Sequence, residues 1–130
     1  MLKLFKSSKG QAVVEFALVL PLFLLLVFGT IELSRVGYSY VTLNNAVRSG
    51  TRIASLGGLD NNIRNTIADS APLFDKTLIS IEITPNDSNR HSGSSVLISA
   101  SYPVALSTPF LSQVLPNPVV VKASLSMRVE

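Results

Sequence analysis

Three residues near the amino end, Gly10, Gln11 and Glu15, have types and a spacing that could support a common chemistry. Glu15 lies inside a strongly apolar stretch, and a charged side chain at the centre of a membrane span costs about 2.5 to 3.5 kcal/mol, so it needs a partner. If a peptidase cut the chain after Gly10, Gln11 would gain an ammonium group about one helical turn from the Glu15 carboxylate. The same carboxylate could instead meet the Gln11 ammonium of a neighbouring subunit. Either contact offsets the cost of placing the charge in lipid.

The element that must position these residues is the apolar run at positions 11–31, which contains one charged residue. At about 1.5 Å per residue, a helix of this length crosses the roughly 30 Å hydrocarbon core of a bilayer. Glu32 and Arg35 follow the run and cancel each other's charge, whereas three basic residues precede it: Lys3, Lys6 and Lys9. The positive-inside rule therefore predicts an N-terminus in the cytoplasm and residues 36–130 outside it.

Two simpler interpretations of this segment need weighing. A secretory signal peptide that is removed usually has about 7 to 15 apolar residues before a small-x-small cleavage site. The run here is longer, and residues 32–36 supply no such site. An uncleaved signal anchor is the second alternative, in which Gly10 is an ordinary glycine at a helix start and Glu15 an interfacial carboxylate. The combination of both residues with the basic leader favours a processed precursor.

The composition excludes several classes of function. The 130 residues contain no Cys and a single His, which rules out disulfides, thiolate metal sites and a catalytic thiol. From Gln11 onward eight positive side chains balance eight negative ones, so the net charge of +3 resides in the leader lysines and does not indicate a nucleic-acid partner. His91 lies in a polar loop, and the sequence contains no phosphate-binding loop or nucleophile motif. We expect no catalytic residue, cofactor or metal site.

A short basic leader, a glycine and an apolar helix with Glu at its fifth position together resemble the class III signal of type IV prepilins. The longer stretch at residues 9–22, KGQAVVEFALVLPL, resembles the TadE-like minor pseudopilins of the tight adherence (Flp, type IVb) pilus. The resemblance continues through residues 31–35, 45–52 and 125–130. It is strong up to residue 35 and looser beyond.

The resemblance implies a single-pass precursor in the bacterial inner membrane, with its C-terminal domain in the periplasm or on an assembled pilus. A prepilin peptidase would cut between Gly10 and Gln11, and Glu15 would be the assembly carboxylate. The implied function is pilus biogenesis, adherence and biofilm formation. The implied partners are the prepilin peptidase, other pilin and pseudopilin subunits, the inner-membrane assembly platform and membrane lipid. Phe16, where Flp major pilins usually have Tyr, and the long segment after the span favour a minor pseudopilin.

The residues beyond Arg35 predict an α+β domain of pilin type. Apolar and small residues at helical spacing continue the first helix to about Leu56, before the Gly57-Gly58 pair: Val36, Tyr40, Leu43, Val47, Gly50 and Ala54. Asp60 is the expected N-cap of a short second helix that ends before Pro72. Alternating segments at 78–84, 96–102 and 119–129 predict a three-stranded antiparallel sheet, and the Val36 to Ala54 side of the first helix is expected to cover its apolar face. The expected organisation is a leader (1–10), a transmembrane helix (11–35) and this domain (36–130).

The segment at residues 107–118, called here the 107–118 loop, combines three prolines with apolar residues at 110, 111, 114 and 115. Its composition leaves two possibilities open, which are a segment tucked into the core and a patch for a partner. Three rival functions also remain at this stage. They are an uncleaved, signal-anchored periplasmic binding or sensory module, a small membrane-tethered hydrolase, and a related minor pseudopilin, either TadF or a subunit of a type II secretion pseudopilus.

Overall fold

The structure is a computed structural model that describes residues 8–130, so the predicted leader residues Lys3 and Lys6 lie outside the described residues. The elements in chain order are α1 (Ser8–Ser55), α2 (Asp60–Asp69), β1 (Ser80–Thr84), β2 (Ser95–Val104), α3 (Leu111–Val114) and β3 (Val119–Arg128), with a 3₁₀ turn at Asp87–Asn89. A long first helix, a short second helix and a three-stranded antiparallel sheet confirm the predicted α+β fold.

The helix α1 has two halves in different surroundings. Residues 11–31 are exposed almost throughout, and Pro21 lies within this half without interrupting the helix. The second half contains the buried residues of α1: Glu32, Ser39, Leu43, Ala46, Val47, Gly50, Thr51, Ala54 and Ser55. The prediction that Tyr40 lies on the buried face of α1 is wrong. Tyr40 is 54% exposed, because its smaller neighbour Ser39 occupies the buried face instead.

The end of α1 is set by the glycine pair that follows it. Gly57 has a φ of +80°, which side chains with a Cβ rarely adopt, and its N–H donates to the Ala54 carbonyl oxygen at 3.1 Å. The N–H of Gly58 donates to the Ile53 carbonyl oxygen at 3.0 Å. This pair of bonds is the Schellman closure of a helix, and it confirms the predicted stop.

The sheet has the order β1-β2-β3, and both pairs are antiparallel. The register places Ser80 opposite Ser101 and Val104 opposite Val119. Alternation along each strand puts the apolar residues on the face that packs against α1, as predicted. Met127 is an exception with 37% exposure, although Val129 beyond it is buried again.

The core lies between the second half of α1, the helix α2 and the sheet. Its fully buried larger side chains come from all three: Leu43, Val47, Ile63, Ile67, Val96 and Ile98. The two helices approach closely at Gly50, where an added Cβ would lie 2.5 Å from Ile67 Cγ1. The second half of α1 therefore forms one side of the small domain made by α1, α2 and the sheet, called here the head. Residues 11–31, called here the bare half of α1, extend from the head as part of the same continuous helix.

Candidate functional site

The residues of the predicted processing site lie at the exposed start of α1. Lys9, Gly10 and Gln11 are all helical and exposed, and Glu15 is exposed one turn further along the helix. Residues four apart are neighbours on a helix surface, so Gln11 and Glu15 share one face. A Cβ added to Gly10 would meet no atom within 4 Å. The surroundings of Gly10 in the described chain therefore place no steric demand on this position.

The bare half of α1 is a candidate membrane span. It is long and apolar enough to cross a bilayer, and none of its most apolar window is buried in the protein. Large side chains are exposed around its whole circumference, among them Phe16 (64%), Leu18 (71%) and Phe23 (60%). An apolar surface of this extent requires a cover from outside the chain.

A second carboxylate, Glu32, lies at the junction between the bare half and the head. It is 5% exposed, and its Oε1 accepts hydrogen bonds from the N–H groups of Ser107 (2.8 Å) and Thr108 (3.0 Å) and from the Thr108 hydroxyl (3.0 Å). Its Oε2 accepts from Arg35 at 3.0 Å, and the same guanidinium donates to the Ser107 hydroxyl at 2.8 Å. The charge cancellation predicted for Glu32 and Arg35 is thus a direct ion pair.

The contact between Glu32 and the 107–118 loop was not foreseen from the sequence. Its two sides are separated by 75 residues, and no local pattern links them. The available signals were a carboxylate immediately after the apolar run and a Ser107-Thr108-Pro109 sequence after a strand. The consecutive N–H groups of Ser107 and Thr108 lie beyond the end of β2, and one carboxylate oxygen accepts from both.

The 107–118 loop is not tucked into the core, which corrects one of the two sequence-based alternatives. It lies against the bare half of α1, where Phe110 and Leu111 line an apolar groove of about 400 Å³ together with residues of the helix: Pro21, Leu22, Leu24, Leu25 and Phe28. Phe110 is 58% exposed and Val114 is 72% exposed. The loop stays outside the core because Glu32 holds its first residues on α1, away from the sheet.

A partly buried ion pair fixes the connection between β1 and β2. The Arg90 side chain is 3% exposed and its guanidinium donates to the Asp60 carboxylate and to the Gly58 carbonyl oxygen, the latter at 2.7 Å. Asp60 is therefore not the N-cap of α2, contrary to prediction. Leu59 occupies that position without a side-chain bond, since Arg90 engages the Asp60 carboxylate. His91, next in the chain, is exposed in the polar loop.

The described chain contains few groupings that could support other chemistry. Across residues 8–130, no three His, Asp or Glu side chains lie close enough together to hold a metal ion. The outer face of the sheet has a shallow polar groove in which Glu82 and Lys122 are flanked by serines. The side chains that line this groove include no histidine that could act as the base for a serine nucleophile.

The fold and the site together define a protein with one apolar helix that is bare over its first half and built into a small α+β head over its second half. Residues 10–52 match a family model described as TadE-like protein. The resemblance to TadE-like proteins is therefore confirmed over the greater part of α1. No curated protein and no solved structure matches the chain.

Proposed function

We propose that this chain is a minor pseudopilin of the tight adherence (Flp, type IVb) pilus, made as a membrane-anchored precursor and processed after Gly10. The observation that supports this proposal most is the exposed carboxylate of Glu15 on a bare apolar helix, one turn after Gln11. The family match begins at residue 10, the last residue of the proposed leader. The role is that of a structural subunit in pilus biogenesis, adherence and biofilm formation.

The proposed topology follows from the charges at the two ends of the bare half. Lysines at three leader positions favour a cytoplasmic N-terminus, whereas the Glu32 and Arg35 pair contributes no net charge at the other end. Residues 36–130 then form the periplasmic head, and residues 11–35 the transmembrane segment. The proposed compartment is the bacterial inner membrane.

The proposed processing step is hydrolysis of the Gly10–Gln11 peptide bond by a prepilin peptidase. Water adds across the bond, which leaves a carboxylate on Gly10 of the released leader and an ammonium on Gln11. The new ammonium lies on the helix face that Glu15 already occupies. The pair neutralises a charge that is otherwise costly in lipid, either within one subunit or between packed helices of neighbouring subunits. The proposed partners are accordingly the peptidase, other pilin and pseudopilin subunits, the inner-membrane assembly platform and membrane lipid.

A glycine-to-alanine exchange at position 10 tests the processing step. Neither Gly10 nor Gly29 has an atom within 4 Å of an added Cβ, so Gly10→Ala and Gly29→Ala are matched in their effect on the described fold. We expect Gly10→Ala to accumulate the longer precursor on a gel, while Gly29→Ala is processed as the wild type is. A mature band of normal mobility and amount in Gly10→Ala contradicts the proposed cleavage. An unprocessed wild-type chain would support the signal-anchored sensory or binding module instead.

A charge-removing exchange at position 15 tests the assembly step separately. Glu15→Gln keeps the size of the side chain and removes its charge, and Glu82→Gln is the matched control on the exposed face of β1. We expect Glu15→Gln to be cleaved almost normally but to lose surface pili and adherence, because the Gln11 ammonium then has no counter-charge. The control keeps both properties. Normal piliation in Glu15→Gln would remove the assembly role.

A further inference from the structure

The 107–118 loop is an apolar segment that is largely exposed outside the bare half of α1. No charged residue occurs between positions 91 and 121, a stretch that includes all of β2 and the loop. Phe110, Val114 and Leu115 are 58%, 72% and 47% exposed. Water is an unfavourable surrounding for three neighbouring large apolar side chains, and a contiguous patch of this kind marks an interaction surface.

The depth of the loop is set by its contacts with α1. Glu32 holds the backbone of Ser107 and Thr108 at the outer end of the apolar run. From there the loop turns back along the bare half, so that Phe110 and Leu111 lie beside residues 21–28. Phe28 and Leu24 precede Glu32 by four and eight residues, which corresponds to about 6 and 12 Å along the helix axis. Phe110 and Leu111 therefore lie beside the part of the helix that is apolar enough to require lipid.

Eight of the twelve positions of the loop either lack a backbone N–H group or donate it within the protein. A backbone N–H group without a partner is costly in a bilayer, so these features lower the cost of placing the loop beside acyl chains. Three positions are prolines without an N–H group: Pro109, Pro116 and Pro118. Other N–H groups donate within the protein, from Leu106 to Asn117 Oδ1, from Ser107 and Thr108 to Glu32, and from Ser112, Gln113 and Leu115 to carbonyl oxygens of the loop. The backbone hydrogen bonds within the loop surround the short helix α3.

We propose that the 107–118 loop inserts into the outer leaflet of the bilayer that α1 crosses, with lipid acyl chains occupying the groove between the loop and residues 21–28. This inference rests on the proposed membrane span of α1. Acyl chains fit the groove because nearly all its exposed lining is apolar and it opens onto a helix surface that is bare around its circumference. The head is thereby fixed to the membrane at two places, the helix and the loop, which defines its orientation before assembly.

The sequence makes this inference directly testable because it contains no Trp. A single Trp can be placed in the full chain at Phe110 or, independently, at Val114. Phe23→Trp in the bare half reports on the span itself, and Leu56→Trp at the far end of α1 reports on the head. Residues 32 and 55 are separated by about 35 Å of helix, so the last probe lies far from the loop. Each variant is reconstituted at low density into vesicles of phosphatidylethanolamine and phosphatidylglycerol with brominated acyl chains.

We expect Phe110→Trp and Val114→Trp to emit at short wavelength and to lose most of their emission to the brominated acyl chains. Phe23→Trp should also be quenched by bromolipid, and Leu56→Trp by aqueous acrylamide alone. If Phe23→Trp is quenched by bromolipid while both loop probes respond to acrylamide, the inserted loop is refuted and the span stands. If Phe23→Trp also escapes bromolipid, the membrane span fails. Loop probes shielded from both quenchers would show that protein fills the groove, which also overturns the proposal.

Discussion

Replacing Glu32 tests the contact that joins the head to the bare half of α1. Its Oε1 accepts three hydrogen bonds of 2.8, 3.0 and 3.0 Å, and Glu32→Ala removes all of them. One hydrogen bond to a charged acceptor changes an opening equilibrium by about tenfold, and two of the three donors are backbone N–H groups left without a partner. We therefore expect the local opening of the 107–118 loop to become about 10 to 100 times more frequent, with the remaining head intact.

The assay is amide hydrogen exchange of the full chain in lipid nanodiscs, read at Ser107 and Thr108 and, as an internal reference, at Ile98 in the centre of β2. Glu32→Ala should accelerate exchange at the first two amides and leave the third unchanged. Glu32→Gln keeps an oxygen acceptor without the charge, so its effect should be smaller than that of Glu32→Ala. Equal protection of the Ser107 and Thr108 amides in the wild type and Glu32→Ala would refute the proposed anchoring of the loop.

Two further predictions concern the head. Gly50→Ala places a Cβ 2.5 Å from Ile67 Cγ1 and should destabilise the head by about 1 to 3 kcal/mol, whereas Gly37→Ala meets no atom within 4 Å and should stabilise the helix by about 0.5 to 1 kcal/mol. Thermal unfolding followed by circular dichroism separates the two, and equal midpoints would contradict the close approach of α1 and α2. The Thr77 hydroxyl and N–H donate to the Asp75 carboxylate and lower the pKa of Asp75 below the ordinary 3.8. The ionised Asp75 therefore stabilises the fold fully above pH 3.8, and this contribution is lost as the pH falls through the lower pKa of the folded state. Thr77→Val should raise the pKa of Asp75 in a carboxyl NMR titration, and an unchanged titration curve would show that the hydroxyl has no such effect.

The sequence predicted those parts of the structure that depend on local periodicity. Helical spacing after Arg35 predicted the part of α1 that packs in the head, and the glycine pair at 57–58 predicted where α1 ends. Alternation predicted all three strands to within a few residues at each boundary. These features are predictable because each depends on the burial of one face of a single element.

Long-range polar contacts were not predictable in the same way. Glu32 and Thr108 are 76 residues apart, and Asp60 and Arg90 are 30 apart. From the sequence alone, Glu32 is explained as a charge that flanks the apolar run, and Asp60 as a helix cap. Their distant hydrogen-bond partners become apparent only in the folded chain. The residues proposed for processing and assembly differ from both groups. Gly10 and Glu15 were identified by their types and spacing, and the described tertiary contacts of the chain do not engage them.

The N-terminal peptide of the native protein provides the most direct test of the central claim. Trypsin cuts after Lys9 and next after Arg35, so an unprocessed chain yields a peptide of residues 10–35. Cleavage by a prepilin peptidase yields residues 11–35, which trypsin cannot produce and which is lighter by one glycine. Mass spectrometry of membrane-extracted protein should find the peptide that begins at Gln11. A peptide that begins at Gly10, in a chain whose intact mass includes the leader, would contradict the processed pseudopilin.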